Sequence, residues 1–226
     1  MTKFFQWERF ETAFHQVIPC LTVTAQIVWW ATVLGCVLGI LLSQILLRRI
    51  PVLRQIARLF ISFIRDTPLL VQMMLCYYGF PGILSLIGID ANRWDRLIFA
   101  FLAYGLNQAG FLAEMFRGAT EAVPIEQTEA AISVGMTRFQ TFRRIIFPQM
   151  LHIVLPAFGN DFVGLFQGTS LVYLLGVMDM MGRARSVGTS SGHFLEPYLV
   201  ALILYIVISI ILTFFFWILN RKTERR

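Results

Sequence analysis

Lysine is almost absent from this chain of 226 residues, in which only Lys3 and Lys222 occur. Neither lysine follows a glycine, so the sequence has no phosphate-binding GxxxxGK[ST] loop and cannot hydrolyse ATP through one. The three cysteines and three histidines form no CxxC or HExxH pattern, which disfavours a disulfide framework, a zinc site and a metallohydrolase. We therefore expect a protein that is not an enzyme and binds no cofactor or metal directly.

Charged residues are also scarce, at 14% of the chain, whereas 57% of the residues are hydrophobic. This composition lies outside the range of soluble domains and predicts a multi-pass protein of the cell (inner) membrane, with the lipid bilayer as its main surroundings. The formal net charge is +6. Because the basic residues lie in short loops between apolar runs, a nucleic-acid partner is not expected.

Five apolar runs predict an all-α fold with about five transmembrane helices. They cover residues 17–47, 59–86, 97–117, 145–177 and 197–219. The second run contains Arg65-Asp66-Thr67-Pro68, so we expect it to be kinked there. In the first run, Gly35 and Gly39 form a GxxxG pattern that is typical of close helix contacts.

The segments outside these runs also carry structural signals. Residues 1–16 place aromatic side chains three and four apart, which predicts either an amphipathic helix on the membrane surface or the polar start of the first span. Residues 179–196 are expected to be a long outer loop.

The distribution of basic residues indicates the orientation. If the N-terminus lies outside and the C-terminus in the cytosol, the inner segments hold twelve basic residues and the outer segments six. This distribution follows the positive-inside rule and places residues 121–148 in the cytosol.

Residues 121–148 carry charge at the density of a water-exposed segment, although long apolar runs lie on both sides. Pro124 and the acidic Glu126 suit the start of a helix. Gly135 suits the left-handed residue that ends a helix, and Thr137 can cap a second one. The sequence therefore predicts two short helices that meet at an angle.

The spacing within this segment resembles the EAA signature of ABC-importer permeases. The matching residues are Glu129, Ala130, Ala131, Gly135, Ile145 and Pro148. In that family the signature marks a cytoplasmic coupling helix that docks on an ATPase subunit. The resemblance implies one membrane domain over residues 1–226, an ABC ATPase dimer that binds ATP and Mg²⁺, a second permease (a copy or a paralogue), and an extracytoplasmic amino-acid-binding protein.

Further segments resemble the polar amino acid permeases of the histidine, glutamine and glutamate type. They are residues 65–72 (RDTPLLVQ), Glu114-x-x-Arg117-Gly118, and residues 160–171 (NDFVGLFQGTSL). Asp66 stands where that family has glycine, and Gln167-Gly168 where it has Lys-Asp. The sequence of residues 165–173 is most similar to that of glutamate/aspartate permeases.

Polar side chains within the apolar runs mark a candidate substrate pathway, since charge inside a bilayer is costly and usually serves a function. The candidates are Arg65, Gln108, Glu114, Asn160, Asp161, Thr169 and Ser170. Asp161 could bind a substrate ammonium while Thr169 and Ser170 hold a carboxylate. Each of these charged residues could instead have a structural role. Asp161 could bind Asn107, Gln108 or Arg65, Arg65 could pair with Asp66, and Glu114 could pair with Arg117.

Two other functions remain open at this point. The first is an ion-coupled secondary transporter or channel, in which Asp161 or Glu114 would carry protons or sodium. The second is a membrane scaffold subunit without a pathway, whose 121–148 segment would still bind a partner.

Overall fold

The computed structural model describes residues 5–48 and 50–224, and every regular element in these ranges is helical. The α-helices are, in chain order, α1 (Trp7–Val17), α2 (Leu21–Leu47), α3 (Pro51–Asp66), α4 (Leu69–Ser85), α5 (Arg96–Glu121), α6 (Ile125–Ser133), α7 (Arg138–Thr141), α8 (Phe147–Gly168), α9 (Met180–Ser191) and α10 (Leu195–Glu224). Lys3, Phe4, Arg49, Arg225 and Arg226, which enter the predictions for residues 1–16 and for the basic-residue count, lie outside the described residues.

The number of membrane spans depends on how two bent helix pairs are counted. Three stretches of the described chain are long and apolar enough to cross alone: Trp7–Leu47, Arg96–Glu121 and Leu195–Thr223. Counting each bent pair as one span gives up to five. The expected five spans therefore match the upper count.

The first helix runs without interruption from Trp7 to Leu47, since the 3₁₀ turn Ile18–Cys20 joins α1 directly to α2. Ala13 and Val17 of α1 are fully buried, and α1 packs against α9 and α10. Helix α1 is therefore continuous with α2 and packed on the rest of the chain.

Helices α2 and α5 pack closely because α2 presents glycines to its neighbour. A Cβ atom on Gly35 would lie 2.5 Å from the Cβ of Gln108, and one on Gly39 would lie 2.9 Å from the Cβ of Leu112. The predicted GxxxG contact is thus confirmed. It brings the two backbones together where lipid offers no hydrophobic driving force between helices.

The second apolar run is sharply bent at the predicted place, because α3 and α4 meet at 114°. Pro68 keeps Thr67 in an extended conformation (φ −115°, ψ 145°), which ends α3. The side-chain amide of Gln72 then donates to Ile64 O at 2.8 Å and to Thr67 Oγ1 at 2.8 Å, so the turn is held by specific bonds. Gln72 also accepts a bond from Asn107 on α5 at 3.0 Å.

Residues 179–196 are largely helical rather than a loop, because α9 covers Met180–Ser191 and α10 begins at Leu195. Asp179 caps this helix by accepting a hydrogen bond from the backbone N–H of Gly182 at 2.8 Å. The buried residues Met180, Ala184 and Gly188 recur every four positions and fix one face of α9. Its arginines, serines and glycines concealed this small-residue face in the sequence.

Candidate functional site

The turn inside the 121–148 segment has the predicted form. Gly135 follows α6 with a φ of +84°, and its backbone N–H donates to Ile132 O at 2.9 Å. Thr137 caps α7 in a capping box, in which Gln140 N donates to Thr137 Oγ1 at 3.3 Å and Thr137 N to Gln140 Oε1 at 2.9 Å. Glycine is required at this left-handed position, so the angle between the two helices is encoded locally.

The residues of the EAA pattern do not all face outward. Glu129, Ala130, Gly135 and Pro148 are exposed, and Ile145 is half-buried. Ala131, however, is only 3% exposed, because α6 packs back on α7 and the following turn. The small side chain of Ala131 therefore lets α6 pack within its own chain.

Large apolar side chains are exposed on the same segment, which a purely linking loop would not require. Val134 is 78% exposed and Phe139 is 70% exposed. Ile125 and Ile132 are exposed as well. These four side chains, together with Glu129 and Arg138, form a surface that is partly apolar and partly charged. We call it the segment's apolar surface. A surface of this composition is typical of a protein interface.

The second half of the segment continues directly into helix α8. Residues 138–175 form one helical stretch in which the π-helical turn Phe142–Ile146 joins α7 to α8. The backbone N–H of Phe147 bonds to Phe142 O, and the next residue, Pro148, has no N–H with which to continue a normal α-helix. Ile145 and Pro148 thus belong to a continuous helical connection between the segment and α8.

A side-chain bond that the sequence did not reveal links α6 to α8. The amide of Gln149 donates both to Gln127 Oε1 and to Ile145 O. The two glutamines are twenty-two residues apart in the chain, and neither belongs to a recognisable pattern. This bond joins α6 to α8 directly, and the π-helical turn joins them through α7, so α6 has two connections to α8.

Glu114 and Arg65 have local partners. Glu114 accepts from Arg117 at 2.6 Å, as predicted, and Arg117 also pairs with Glu121. The guanidinium of Arg65 lies 5.8 Å from the ring centre of Phe111, while Asp66 accepts from Ser62 at 2.7 Å. Arg65 and Asp66 therefore bind different neighbours, and the predicted alternative of an ion pair between them is not what the structure has.

Asp161 lies half-buried between three helices. Its carboxylate is beside the amide of Gln108 on α5 and near the thiol of Cys36 on α2. Asn160, one residue earlier, is exposed on another face of α8. Of the three structural partners considered for Asp161, the structure brings Gln108 to it.

Thr169 and Ser170 begin the 3₁₀ helix Thr169–Leu175 that follows α8. Thr169 is fully buried and its hydroxyl donates to Phe166 O at 2.6 Å, whereas Ser170 is half-buried. At 1.5 Å per residue, Asp161 and Thr169 are about 12 Å apart along the helix. The ammonium and carboxylate on one α-carbon cannot span this distance, so Thr169 does not hold the α-carboxylate of an amino acid whose ammonium group lies at Asp161.

A buried polar cluster surrounds Thr169, and the sequence analysis missed most of it. Tyr205 of α10 donates to Asp179 Oδ2 at 3.4 Å and lies 3.5 Å from Thr169 Oγ1. Tyr104 of α5 donates to Gly168 O at 2.7 Å. Tyrosines within the apolar runs could have indicated this cluster, because a buried phenol needs a hydrogen-bond partner. Helices α5, α8, α9 and α10 meet at this cluster.

Replacing Asp179 with alanine is expected to destabilise the fold by about 2 kcal/mol, because α9 loses its cap and Tyr205 loses an acceptor. The measurement is thermal unfolding of the purified chain in detergent. Asp90→Ala, at an exposed loop carboxylate, is the control and should leave the midpoint nearly unchanged. Equal midpoints for the two variants would contradict a structural role for Asp179.

Among the described residues, no group of three or more His, Cys, Asp or Glu side chains could hold a metal ion. What the molecule offers instead is an exposed segment joined to membrane helices that carry buried polar groups.

The profile of the family described as "binding-protein-dependent transport system inner membrane component" matches residues 31–225. The chain belongs to this family. The L-cystine transport system permease protein TcyL of Bacillus subtilis (strain 168) is 37% identical over 212 residues, covering 92% of this chain and 89% of TcyL. The glutamate/aspartate import permease protein GltK of Escherichia coli O157:H7 is 29% identical over 220 residues, covering 97% and 98% of the two chains.

A crystal structure described as that of an amino acid ABC transporter with histidines superposes with a TM-score of 0.85 at 26% identity. The superposition covers 98% of this chain and 100% of the other. The protein is thus an integral membrane permease subunit of an amino-acid ABC importer. This permease has the helical membrane fold that its sequence predicted.

Proposed function

We propose that the permease imports a polar amino acid with energy from a separate ATPase dimer, which docks on residues 121–148. The single observation that supports this most strongly is the segment's apolar surface, with Val134 and Phe139 largely exposed beside Glu129. The ATPase subunits would bind ATP and Mg²⁺. In the proposed orientation the N-terminus is outside and the C-terminus is cytoplasmic, and residues 1–226 act as one domain.

Motion of α6 would reach the membrane helices through its two connections to α8. When the ATPase dimer closes, α6 moves with it, and the Gln127–Gln149 bond and the π-helical turn carry the displacement into α8. A packed helical fold responds by changing between two arrangements rather than by bending continuously. Inward- and outward-facing states of the pathway are the two arrangements proposed here.

A second permease, either a copy or a paralogue, would complete the pathway. Polar side chains on the exposed faces of α8 and α10 support this partner, because polar groups facing lipid are costly. Asn160 and Gln167 are exposed on α8, and Gln167 donates to Ser209 on α10 at 3.2 Å. An extracytoplasmic binding protein would deliver the substrate to the opposite end from the 121–148 segment.

Within the pathway, we propose that Asp161 and Gln108 receive the substrate's ammonium group, with Asn160 nearby on the adjoining face. Thr169 and Ser170 act in the outer part, where Tyr104 donates to the carbonyl oxygen of the preceding Gly168 and Tyr205 lies beside the hydroxyl of Thr169. Arg65 and Glu114 lie towards the proposed cytoplasmic end, where they would influence substrate release.

Replacing Asp161 with asparagine should reduce uptake at least tenfold, because the amide keeps the size of the side chain but loses the charge that attracts an ammonium group. The measurement is ATP-driven uptake by the reconstituted complex. The control is Asp66→Asn, at an exposed carboxylate on α3, which should retain uptake. Unchanged transport by the Asp161 variant would assign this residue a structural role beside Gln108.

Glutamate or aspartate is the proposed substrate, because the sequence of residues 165–173 resembles glutamate/aspartate permeases and the whole chain is similar to GltK. Cystine is a second candidate, because TcyL shares more of its residues with this chain. All three amino acids carry two carboxylates. Competition of unlabelled glutamate, aspartate, cystine and arginine against labelled glutamate uptake separates them, and inhibition by arginine alone would contradict both candidates.

The function itself is tested by purifying the full chain under native conditions and reconstituting whatever accompanies it. A P-loop ATPase should co-purify, and uptake should require ATP and the binding protein. Uptake driven by a proton or sodium gradient without ATP would identify a secondary transporter instead. A stable complex that moves no amino acid under any condition would support the scaffold alternative.

A further inference from the structure

Helix α3 has three distinct faces, of which one packs on the rest of the chain. Ala57, Ile61 and Ile64 are buried on this face. Ala57 and Ile61 cluster with Leu46 at the end of α2 and Ala113 on α5, and Ile64 lies against Gly110 of α5. The position of α3 is therefore fixed by packing.

A second face of α3 is apolar and uncovered within the chain. Val52, Ile56, Leu59 and Phe63 are all exposed, and Leu59 is 69% exposed. Their spacings of four, three and four residues place them in one stripe along the helix. An exposed apolar stripe of this length needs a nonpolar environment to cover it.

The third face carries basic and polar side chains. Arg54 and Arg58 are four residues apart, and no acidic residue occurs on α3 before Asp66, which already bonds to Ser62. Arg58 is exposed and Arg54 is half-buried beside it. Two guanidinium groups one helical turn apart suit an oxyanion such as a phosphate.

The direction of α3 completes the argument. With α4 crossing the bilayer, the 114° turn at Thr67 and Pro68 places α3 closer to the membrane plane than to the direction of α4. The Gln72 bonds hold the turn in place. A helix in the membrane plane with apolar, basic and protein-facing sides has the arrangement of an interfacial helix.

We propose that α3 lies in the cytoplasmic headgroup layer and binds anionic phospholipid, with the Val52–Phe63 stripe among the acyl chains and Arg54 and Arg58 on lipid phosphates. Charge complementarity selects this occupant, since the surface potential of an anionic leaflet attracts basic segments. The choice of leaflet rests on the orientation given in the proposed function. The lipid contact also holds α3 in place at the start of the turn into α4.

The depth of α3 is measured by spin labels in the full chain, purified with its partner subunits, after Cys20, Cys36 and Cys76 have been replaced by serine. Labels are attached at Ile56→Cys and Arg58→Cys and exposed to oxygen and to a water-soluble nickel chelate in vesicles containing phosphatidylglycerol. The label at residue 56 should collide mainly with oxygen, and that at residue 58 mainly with nickel. Equal nickel access at both sites, or shielding of residue 56 from both reagents by a protein partner, would overturn the proposal.

The preference for anionic lipid is tested with spin-labelled phosphatidylglycerol and phosphatidylcholine. The native complex should immobilise more phosphatidylglycerol, and Arg54→Gln/Arg58→Gln should reduce that preference at least twofold. The matched control is Arg93→Gln/Arg185→Gln, two exposed arginines elsewhere, which should retain it. An unchanged preference in the α3 variant, or an equal loss in the control, would contradict a specific site. Neither measurement uses ATP, so a failure of the importer function would be seen separately.

Discussion

A permease with Val134→Asp and Phe139→Asp is expected to fold normally and to lose its ATPase. Both side chains are largely exposed, so a carboxylate at either position costs little within the chain. At an interface the same carboxylates would be buried without partners, and each should weaken binding about 30-fold or more. Pull-down of the ATPase subunit by the tagged permease measures the loss, and ATP-driven uptake should fall with it.

The control for this variant is Glu126→Gln on the same segment, where an exposed carboxylate is removed without adding a buried charge. It should keep the ATPase bound. Thermal unfolding of all variants shows whether the permease itself remains intact. If the double variant captures the ATPase as well as the native chain does, the segment's apolar surface is not the docking site.

The largest effect on stability is expected for Gly35→Leu. A Cβ at this position would lie 2.5 Å from the Cβ of Gln108 and 3.3 Å from its backbone, so α2 and α5 would have to separate. Overpacking of this kind should cost about 3 kcal/mol and strongly reduce the yield of folded protein. The same separation would displace Gln108 from Asp161, so that any surviving protein should transport poorly.

The matched control is Gly79→Leu on α4. This glycine also lies inside a helix, but a Cβ there has no neighbour within 4 Å. Its thermal midpoint should equal or exceed that of the native chain, because leucine favours helix more than glycine does. A similar loss of stability in both variants would show that glycine at residue 35 has no special packing role.

Local signals in the sequence predicted local structure well. Gly135 and Thr137 fixed the turn between α6 and α7 because a left-handed residue and a cap act over a few positions. The Glu114–Arg117 pair followed from its spacing of three on one helix. The Gly35 and Gly39 pattern also predicted a contact, although only the structure identified α5 as the partner.

Features that depend on distant parts of the chain could not be predicted. The burial of Ala131 is decided by how α6 folds back on α7, which its neighbours in the sequence do not reveal. Asp179 appeared to be a loop residue because its partner Tyr205 is twenty-six residues away, on α10. The proline at residue 68 predicted a kink, whereas the size of the turn depends on where Ala57, Ile61 and Ile64 find their contacts.

The most direct test of ATP-driven import is a cross-link from Ala130→Cys, an exposed position on α6. In the cysteine-free background, a short bifunctional reagent applied to native membranes should join residue 130 to a soluble P-loop ATPase. Nucleotide should change the yield, since α6 moves with the ATPase. A cross-link to no cytoplasmic protein, in membranes that still import the amino acid, would contradict the account.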